Sequence, residues 1–416
     1  MPAEVAPVKL DLLSATFKAN PYPTYARLRG QSPVVRTRLP DGREAWLITR
    51  YDECALALKD ARLSKDRRRV STPQRLPIEQ LVGPFVRSLQ FNMLDLDPPD
   101  HTRLRALVHK AFTPRLIARL RERVQALADQ LLDHATRRGQ LDLVADYALP
   151  IPATIIADLL GVPATDRDRF HRWSSRVVSV TSGRDFVAAL PPVFLFMRYL
   201  RRLFAQRRVA PRDDLITGLV QAEEAGDRLS SDELLSMVFL LLIAGHETTV
   251  NLIADGVLAL LEAPDQLERA RSEPDLLESG AAIEELLRIT SPVQIATERY
   301  ALEPVVLSAT AIPYGAMVLA VIASANHDER QFVDPDRLDL GRAPNPHLAF
   351  GQGVHYCLGA PLARLEAQIA FATLLRRLSD MQLAVPPESL RWRRGIFLRG
   401  LERLPLSVRA ASAVGA

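Results

Sequence analysis

The feature that most restricts this chain is a long apolar run held between a capping box and a proline. Ser230-Ser231-Asp232-Glu233 has the spacing at which a serine hydroxyl and a glutamate three residues on can each bond to the other's backbone N–H. From Leu234 to Leu261 apolar side chains then occupy nearly every helical face, and Pro264 closes the run. Roughly thirty residues at about 1.5 Å each give a helix of about 45 Å. A helix that is apolar all round must be buried along its length, so the remainder of the chain has to be built around it.

The flanking sequence supplies mostly helices. Thr113 and Pro114 followed by Leu116, Leu120, Val124, Leu127 and Leu131 predict a helix that ends at Gly139. Shorter helices are expected over Ile151–Leu160, stopped by Gly161 and Pro163, and over Asp275 to Ile289; a last one starts near Leu358 and continues through Leu365, Ile369 and Leu374. Val34 to Leu39 and Ala45 to Thr49 are β-rich and joined through Pro40-Asp41-Gly42, a hairpin signal. Val305 to Leu307 and Met317 to Ala323 read as strands. Strands cluster at the two ends instead of alternating with helices, which predicts a mainly α, α+β fold and not a doubly wound sheet. No Gly/Ser linker, low-complexity tract or internal repeat divides residues 1–416, so one domain is expected.

Fifty-three Lys and Arg against 49 Asp and Glu leave a net charge of only +4, too little for a nucleic-acid partner. Two cysteines, Cys54 and Cys357, permit no disulfide framework and suit a reducing compartment. The N-terminus lacks the basic and apolar regions of a secretory signal. Pro191 and Pro192 interrupt the apolar stretch from Phe186 to Met197, and Pro313 and Gly315 break the uncharged run Pro304 to Asn326. A cytoplasmic protein without a membrane anchor is expected.

Phe350-Gly351-Gln352-Gly353-Val354-His355-Tyr356-Cys357-Leu358-Gly359 sets a cysteine at the foot of a helix, behind a turn opened by two glycines. Backbone N–H groups and the positive helix end favour thiolate over thiol, which makes Cys357 a candidate ligand or nucleophile. Structural zinc or an iron–sulfur cluster needs three or four Cys/His ligands, and Cys54 has no histidine near it in sequence. A haem brings its own nitrogens and asks for one axial ligand, so the arithmetic favours haem thiolate. In the middle of the long helix, Ala244-Gly245-His246-Glu247-Thr248-Thr249 interrupts the apolar face with polar groups. Their burial costs on the order of several kcal/mol without partners. A Thr248 hydroxyl bonded one turn back would open a groove suited to dioxygen. His246 is read as a structural residue.

These segments resemble the cytochrome P-450 monooxygenases. The cysteine segment matches every fixed position of that family's Phe-Gly-x-Gly-x-His-x-Cys-x-Gly loop, and Ala244 to Thr249 look like its oxygen-binding signature. The resemblance runs from about Asn20 to Gly400. Ala-Gly-His-Glu-Thr-Thr-Val-Asn-Leu-Ile and Asn-Pro-His-Leu-Ala-Phe-Gly bring it nearest to bacterial macrolide hydroxylases. It implies the helix-rich P-450 fold, with small sheets near the N-terminus and in the C-terminal half. Haem b, iron protoporphyrin IX, lies in that fold between the long helix and the cysteine helix. Cys357 is then the iron ligand, and Phe350, Gly351, His355, Gly359, Ala244, Gly245 and Thr248 border the cofactor. Glu247 and Thr248 form the catalytic pair, Thr248 holding the activated oxygen and Glu247 relaying protons with water. His101, Arg105, Arg299 and His355 match propionate-contacting positions. Glu285 and Arg288, with Asp334-Pro335-Asp336-Arg337-Leu338, resemble the family's buried Glu–Arg–Arg network, which is structural.

The reaction so implied is hydroxylation or epoxidation of a hydrophobic small molecule, of the macrolide, terpenoid or fatty acyl kind. It uses O₂ and electrons from a separate ferredoxin or flavodoxin with its reductase. Arg103, Lys110, Arg115 and Arg364 would offer that carrier a positive patch. The pocket is expected from Phe91, Met93 and Leu94, from Phe239, Ile243 and Ala244, from Val293, Ile295 and Ala296, and from Ile396 and Phe397, with Phe186 to Phe204 as a lid. An H₂O₂-driven peroxygenase and a non-enzymatic haem-thiolate sensor are the alternatives. The acid and alcohol at Glu247 and Thr248 favour the monooxygenase.

Overall fold

The capping box forms: Ser230 N–H donates to Glu233 at 2.8 Å and Glu233 N–H to Ser230 Oγ at 3.2 Å. The helix it opens spans Ser231–Glu262, 32 residues. In the computed structural model, residues 7–70, 92–112, 114–167, 169–170, 173, 183–224 and 227–411 are described, so Phe91 and Thr113 lie outside the described residues. By length and composition alone the long helix is long and apolar enough to cross a bilayer, although no membrane anchor is expected from the sequence. Its apolar side chains, among them Leu235, Val238, Leu242, Ile253 and Val257, are buried as those of a core helix are.

The chain divides into two compact units: Met1–Ser64 with Arg121–Ile151 and Thr248–Ala416, and Lys65–Leu120 with Pro152–Glu247. The first unit carries the sheets. Five strands lie in the spatial order Val34–Arg38, Glu44–Ile48, Met317–Ala320, Arg299–Ala301 and Leu63–Ser64. The first two are the expected hairpin, in register from Val34↔Ile48 to Arg38↔Glu44, and Gly42 takes the left-handed φ of +88° that the turn requires. Trp46, Ile48, Leu63, Ala301, Val318 and Ala320 from this sheet pack with Cys54, Ala57 and Leu58 of the helix Tyr51–Lys59 into one apolar cluster. A second sheet orders Leu378–Leu383, Pro405–Ala410 and Gln140–Asp142.

Two helices of this unit matter for the site. Ala360–Arg377 packs on the C-terminal half of the long helix at Gly256, where a Cβ would come within 2.6 Å of the Phe371 ring. The helix predicted over Asp275 to Ile289 is two helices, Asp275–Glu278 and Ala281–Thr290, because Gly280 between them adopts φ +83°. The strand predicted to Ala323 stops at Ala320; Val321 N–H still bonds to Ile48 O at 2.8 Å, and Ile322–Ala325 turns helical.

Among its described residues the second unit is helical apart from one short strand pair. Asp100–Ala111 packs on Leu215–Gln221 where Gly218 faces Ala111, a Cβ on the glycine meeting that of the alanine at 3.0 Å. Asp214 caps the latter helix through Thr217 N–H at 2.8 Å and pairs with buried Arg207 at 2.5 Å. Pro191 and Pro192 do not end the lid segment, which is one helix from Gly183 to Val209. Phe196 of that helix edges onto Phe170 at 5.4 Å and tilts against Phe239 of the long helix at 6.0 Å.

Candidate functional site

Within the first unit the cysteine loop is shaped by two left-handed glycines, Gly351 at φ +70° and Gly353 at φ +72°. A side chain on Gly353 would also press to 3.1 Å on Leu58 O. The turn closes through Cys357 N–H to Phe350 O at 2.9 Å and Tyr356 N–H to Gly353 O at 3.1 Å, and the helix Ala360–Arg377 begins three residues beyond the cysteine. Arg364, one turn into that helix, lays its guanidinium 4.5 Å over the Phe350 ring and binds Glu284 at 2.6 and 2.8 Å. Glu284, which also takes a bond from His347 at 2.9 Å, is held down to about 2 by these hydrogen bonds acting against the desolvation of its half-buried carboxyl.

The two cysteines have opposite environments. Cys54 is fully buried, donates to Ile48 O at 3.1 Å, and burial pushes its thiol well above the ordinary range. Cys357 is half-buried at a helix foot. Among the described residues no three His, Cys, Asp or Glu side chains are grouped to hold a metal by themselves. The donor set therefore fits a group that carries its own nitrogens and takes one sulfur.

The middle of the long helix is more open than its flanks. Leu242, Thr249 and Val250 are buried, whereas Ala244 is exposed and Ile243, Gly245, Glu247 and Thr248 are half-buried. Gly245 has a packing role as well, since Ile156 Cδ1 would stand 3.3 Å from a Cβ there. His246 is buried with Nδ1 2.8 Å from Leu242 O, the structural histidine expected. Sequence reasoning missed Glu366. This carboxyl on the cysteine-side helix is fully buried, hydrogen-bonded to Thr249, and pushed up to about 8 by desolvation. Its one sequence signal is a glutamate in helical register with Leu362, Ile369 and Ala370, apolar residues of the same helix.

Of the propionate candidates, Arg299 and His355 belong to the first unit, His101 and Arg105 to the second. Arg299 is buried and donates to Leu63 O at 3.3 Å and Leu58 O at 3.0 Å. His101 is 1% exposed, and burial, with Arg105 four residues on, lowers its pKa. Glu285 and Arg288 are both wholly buried and paired at 2.8 Å. The second arginine of their network is Arg342, whose Nε lies 3.1 Å from Glu285, and not Arg337, which offers only its backbone carbonyl to Arg288 at 3.3 Å. Arg103 and Arg364, expected on a docking patch, are committed to Glu233 and Glu284.

Among pocket candidates, residues 292–295 pair with 397–399: Gln294 N–H reaches Phe397 O at 2.8 Å and Arg399 N–H reaches Pro292 O at 3.1 Å. Val293, Ala296, Ile396 and Phe397 are half-buried, but Ile295 is 1% exposed and belongs to the core. In the second unit Met93 and Phe239 are nearly buried and Leu94 is half-buried, with Met93 N–H 3.4 Å from Met237 Sδ.

A half-buried cysteine at a helix foot, with the other cysteine wholly buried, points to the class, a haem-thiolate protein. Residues 67–398 match the family model described as Cytochrome P450, and the chain belongs to that family. It is an oxygenase that binds haem b through a cysteine thiolate. It is 42% identical over 395 residues to the polyketide biosynthesis cytochrome P450 PksS of Bacillus subtilis, covering 94% of this chain and 96% of that one. The solved PksS structure superposes with a TM-score of 0.90 over 96% of this chain and 100% of that one. Identity is 45% over 415 residues with the cytochrome P450 monooxygenase PikC of Streptomyces venezuelae, covering 99% and 97%. It is 42% over 386 residues with mycinamicin IV hydroxylase/epoxidase of Micromonospora griseorubida, covering 92% and 94%.

Proposed function

We propose that this protein is a cytoplasmic monooxygenase that hydroxylates or epoxidises a hydrophobic polyketide of the macrolide kind, with terpenoid and fatty acyl compounds as further candidates. Cys357 would hold the haem iron through its sulfur, and the electrons come from a separate ferredoxin or flavodoxin with a reductase. The observation that carries the reading is the contrast between half-buried Cys357, at a helix foot behind two left-handed glycines, and Cys54, buried with its proton held on sulfur. The names of PksS and the mycinamicin enzyme support the substrate class.

When bound, the haem supplies oxygen activation and transfer of one oxygen atom. The chain's own residues do the rest. The dipole of Ala360–Arg377, whose positive end faces the cysteine loop three residues before it, favours the Cys357 anion. Gly359 leaves room beside the sulfur, a Cβ there lying 3.9 Å from Sγ. Arg299 is fixed by two backbone carbonyls, which orients its charge toward a carboxylate without rotamer loss. His355, in the same unit, shares that task. Glu247 and Thr248 stand at the open stretch of the long helix, where a carboxyl and a hydroxyl exchange protons with water. The half-buried apolar side chains of Val293, Ala296, Ile396 and Phe397 exclude water and hold an apolar substrate by burial.

Turnover of macrolide precursors with a surrogate ferredoxin and reductase tests this directly. Product that depends on O₂ and reductant supports the reading, with Thr248→Ala keeping the haem but releasing peroxide in place of product. Product formed from H₂O₂ alone at the same rate indicates a peroxygenase, and ligand binding without turnover in either system indicates a sensor.

A further inference from the structure

A lysine near the N-terminus bonds to both segments that carry the pocket candidates of the first unit. Ala15–Ala19 is a short helix capped by Ser14, whose Oγ accepts from Phe17 N–H at 3.3 Å. Lys18 of that helix is 2% exposed, and its ammonium donates to three acceptors far along the chain: Gln294 Oε1 at 3.1 Å, Gly395 O at 2.9 Å and Leu398 O at 2.9 Å. All of these residues belong to the first unit.

The acceptors lie on the segments of Val293 and Ala296 on one side and of Ile396 and Phe397 on the other. Those segments touch through the main chain: Gln294 N–H and Ile295 N–H donate to Phe397 O at 2.8 and 3.2 Å, and Val293 bridges to Leu398. Lys18 adds bonds on both sides of Ile396 and Phe397, at Gly395 and at Leu398. Gln294 is itself fixed, its Nε2 donating to the buried Tyr25 hydroxyl at 2.5 Å. Arg399 anchors the helix from behind, donating to Lys18 O at 3.3 Å and Ala19 O at 2.9 Å.

Burying an ammonium is costly, and for stability alone an apolar side chain often serves as well. What the ammonium adds is direction, because three N–H bonds fix three acceptors relative to one another. Burial and the Arg399 charge hold Lys18 down to about 8, with Asp255 pulling the other way, so at neutral pH it keeps its proton and all three donors.

We propose that Lys18 is a positioning residue for substrate selection: it pins Gln294 to the Gly395–Leu398 turn and so fixes the spacing of the apolar walls that meet the bound molecule. It acts through those walls and not by contact with substrate. The inference rests on the reading of Val293, Ala296, Ile396 and Phe397 as pocket walls.

Azole binding to the haem-loaded protein, read from the absorption spectrum, tests it with two probes: clotrimazole, large enough to press on the walls, and imidazole, which needs little beyond the iron. Wild type should bind clotrimazole the tighter. Lys18→Met, which keeps a long stem and loses the ammonium, should weaken clotrimazole about tenfold, the order of one lost buried hydrogen bond, and leave imidazole within about twofold. Gln294→Met should do the same with Lys18 in place, and the double variant should lose less than the product of the two, because both act through one contact. Thr37→Val removes another buried hydrogen bond of this unit, to Val8 O at 2.8 Å, and should leave both affinities unchanged. Phe397→Ala tests the pocket reading separately and should also weaken clotrimazole. If Phe397→Ala weakens clotrimazole and Lys18→Met does not, or if Lys18→Met weakens both azoles equally, the positioning role is overturned while the pocket stands. If neither variant affects clotrimazole, the pocket reading falls and this inference with it.

Discussion

Arg364 sits 4.5 Å above the ring of Phe350, the residue that opens the cysteine loop, and it is clamped there by Glu284 at 2.6 Å. The loop is thus tied to its own following helix. Arg364→Ala should lower the unfolding free energy by about 1 kcal/mol, the order of a cation–π contact. It should also speed haem loss to apomyoglobin. Denaturant midpoints and transfer rates measure the two effects; an unchanged transfer rate would show that the loop does not need this brace.

The Glu285 network predicts an asymmetry among three arginines. Glu285 and Arg288 are fully buried, so Glu285→Ala strands a buried guanidinium at a cost of about 3–5 kcal/mol. Arg342→Ala should be harmful too, since it removes a side-chain bond to the same carboxylate. Arg337→Ala should be near neutral because only the backbone of that residue takes part. Urea denaturation of the three proteins gives the ranking.

Glu366 sets a pH dependence. In the unfolded chain its carboxyl has the ordinary value of 4.5, and in the fold it is raised to about 8. Between these values the folded state keeps a proton that the unfolded state has lost, so stability falls as pH climbs through this window. Glu366→Gln should flatten that fall, as read from melting temperatures across the window. An identical slope in wild type and variant would mean that the carboxyl ionises freely.

The long helix and the cysteine loop were legible because each is written locally: the capping box of Ser230 and Glu233, the glycines 351 and 353, and the apolar run need no distant partner to be read. What escaped was decided by tertiary context. Gly280 inside a helical pattern reads as tolerable, yet its positive φ ends one helix and starts another. Arg337 and Arg342 look equivalent in sequence, and only the path of the chain decides which side chain reaches Glu285. Ile295 is apolar like Val293 and Ala296, and nothing in the local sequence marks it as the buried one of the three. Glu366 and Lys18 depend on neighbours more than a hundred residues away in sequence, Thr249 for one and Gln294 for the other.

The account stands on which sulfur holds the iron. The absorption spectrum of the reduced, CO-treated protein reads that ligand directly in wild type, Cys54→Ser and Cys357→Ser. The prediction is the thiolate-haem band in the first two and its loss in the third. A thiolate band that survives in Cys357→Ser, or that disappears in Cys54→Ser while haem is retained, would contradict it.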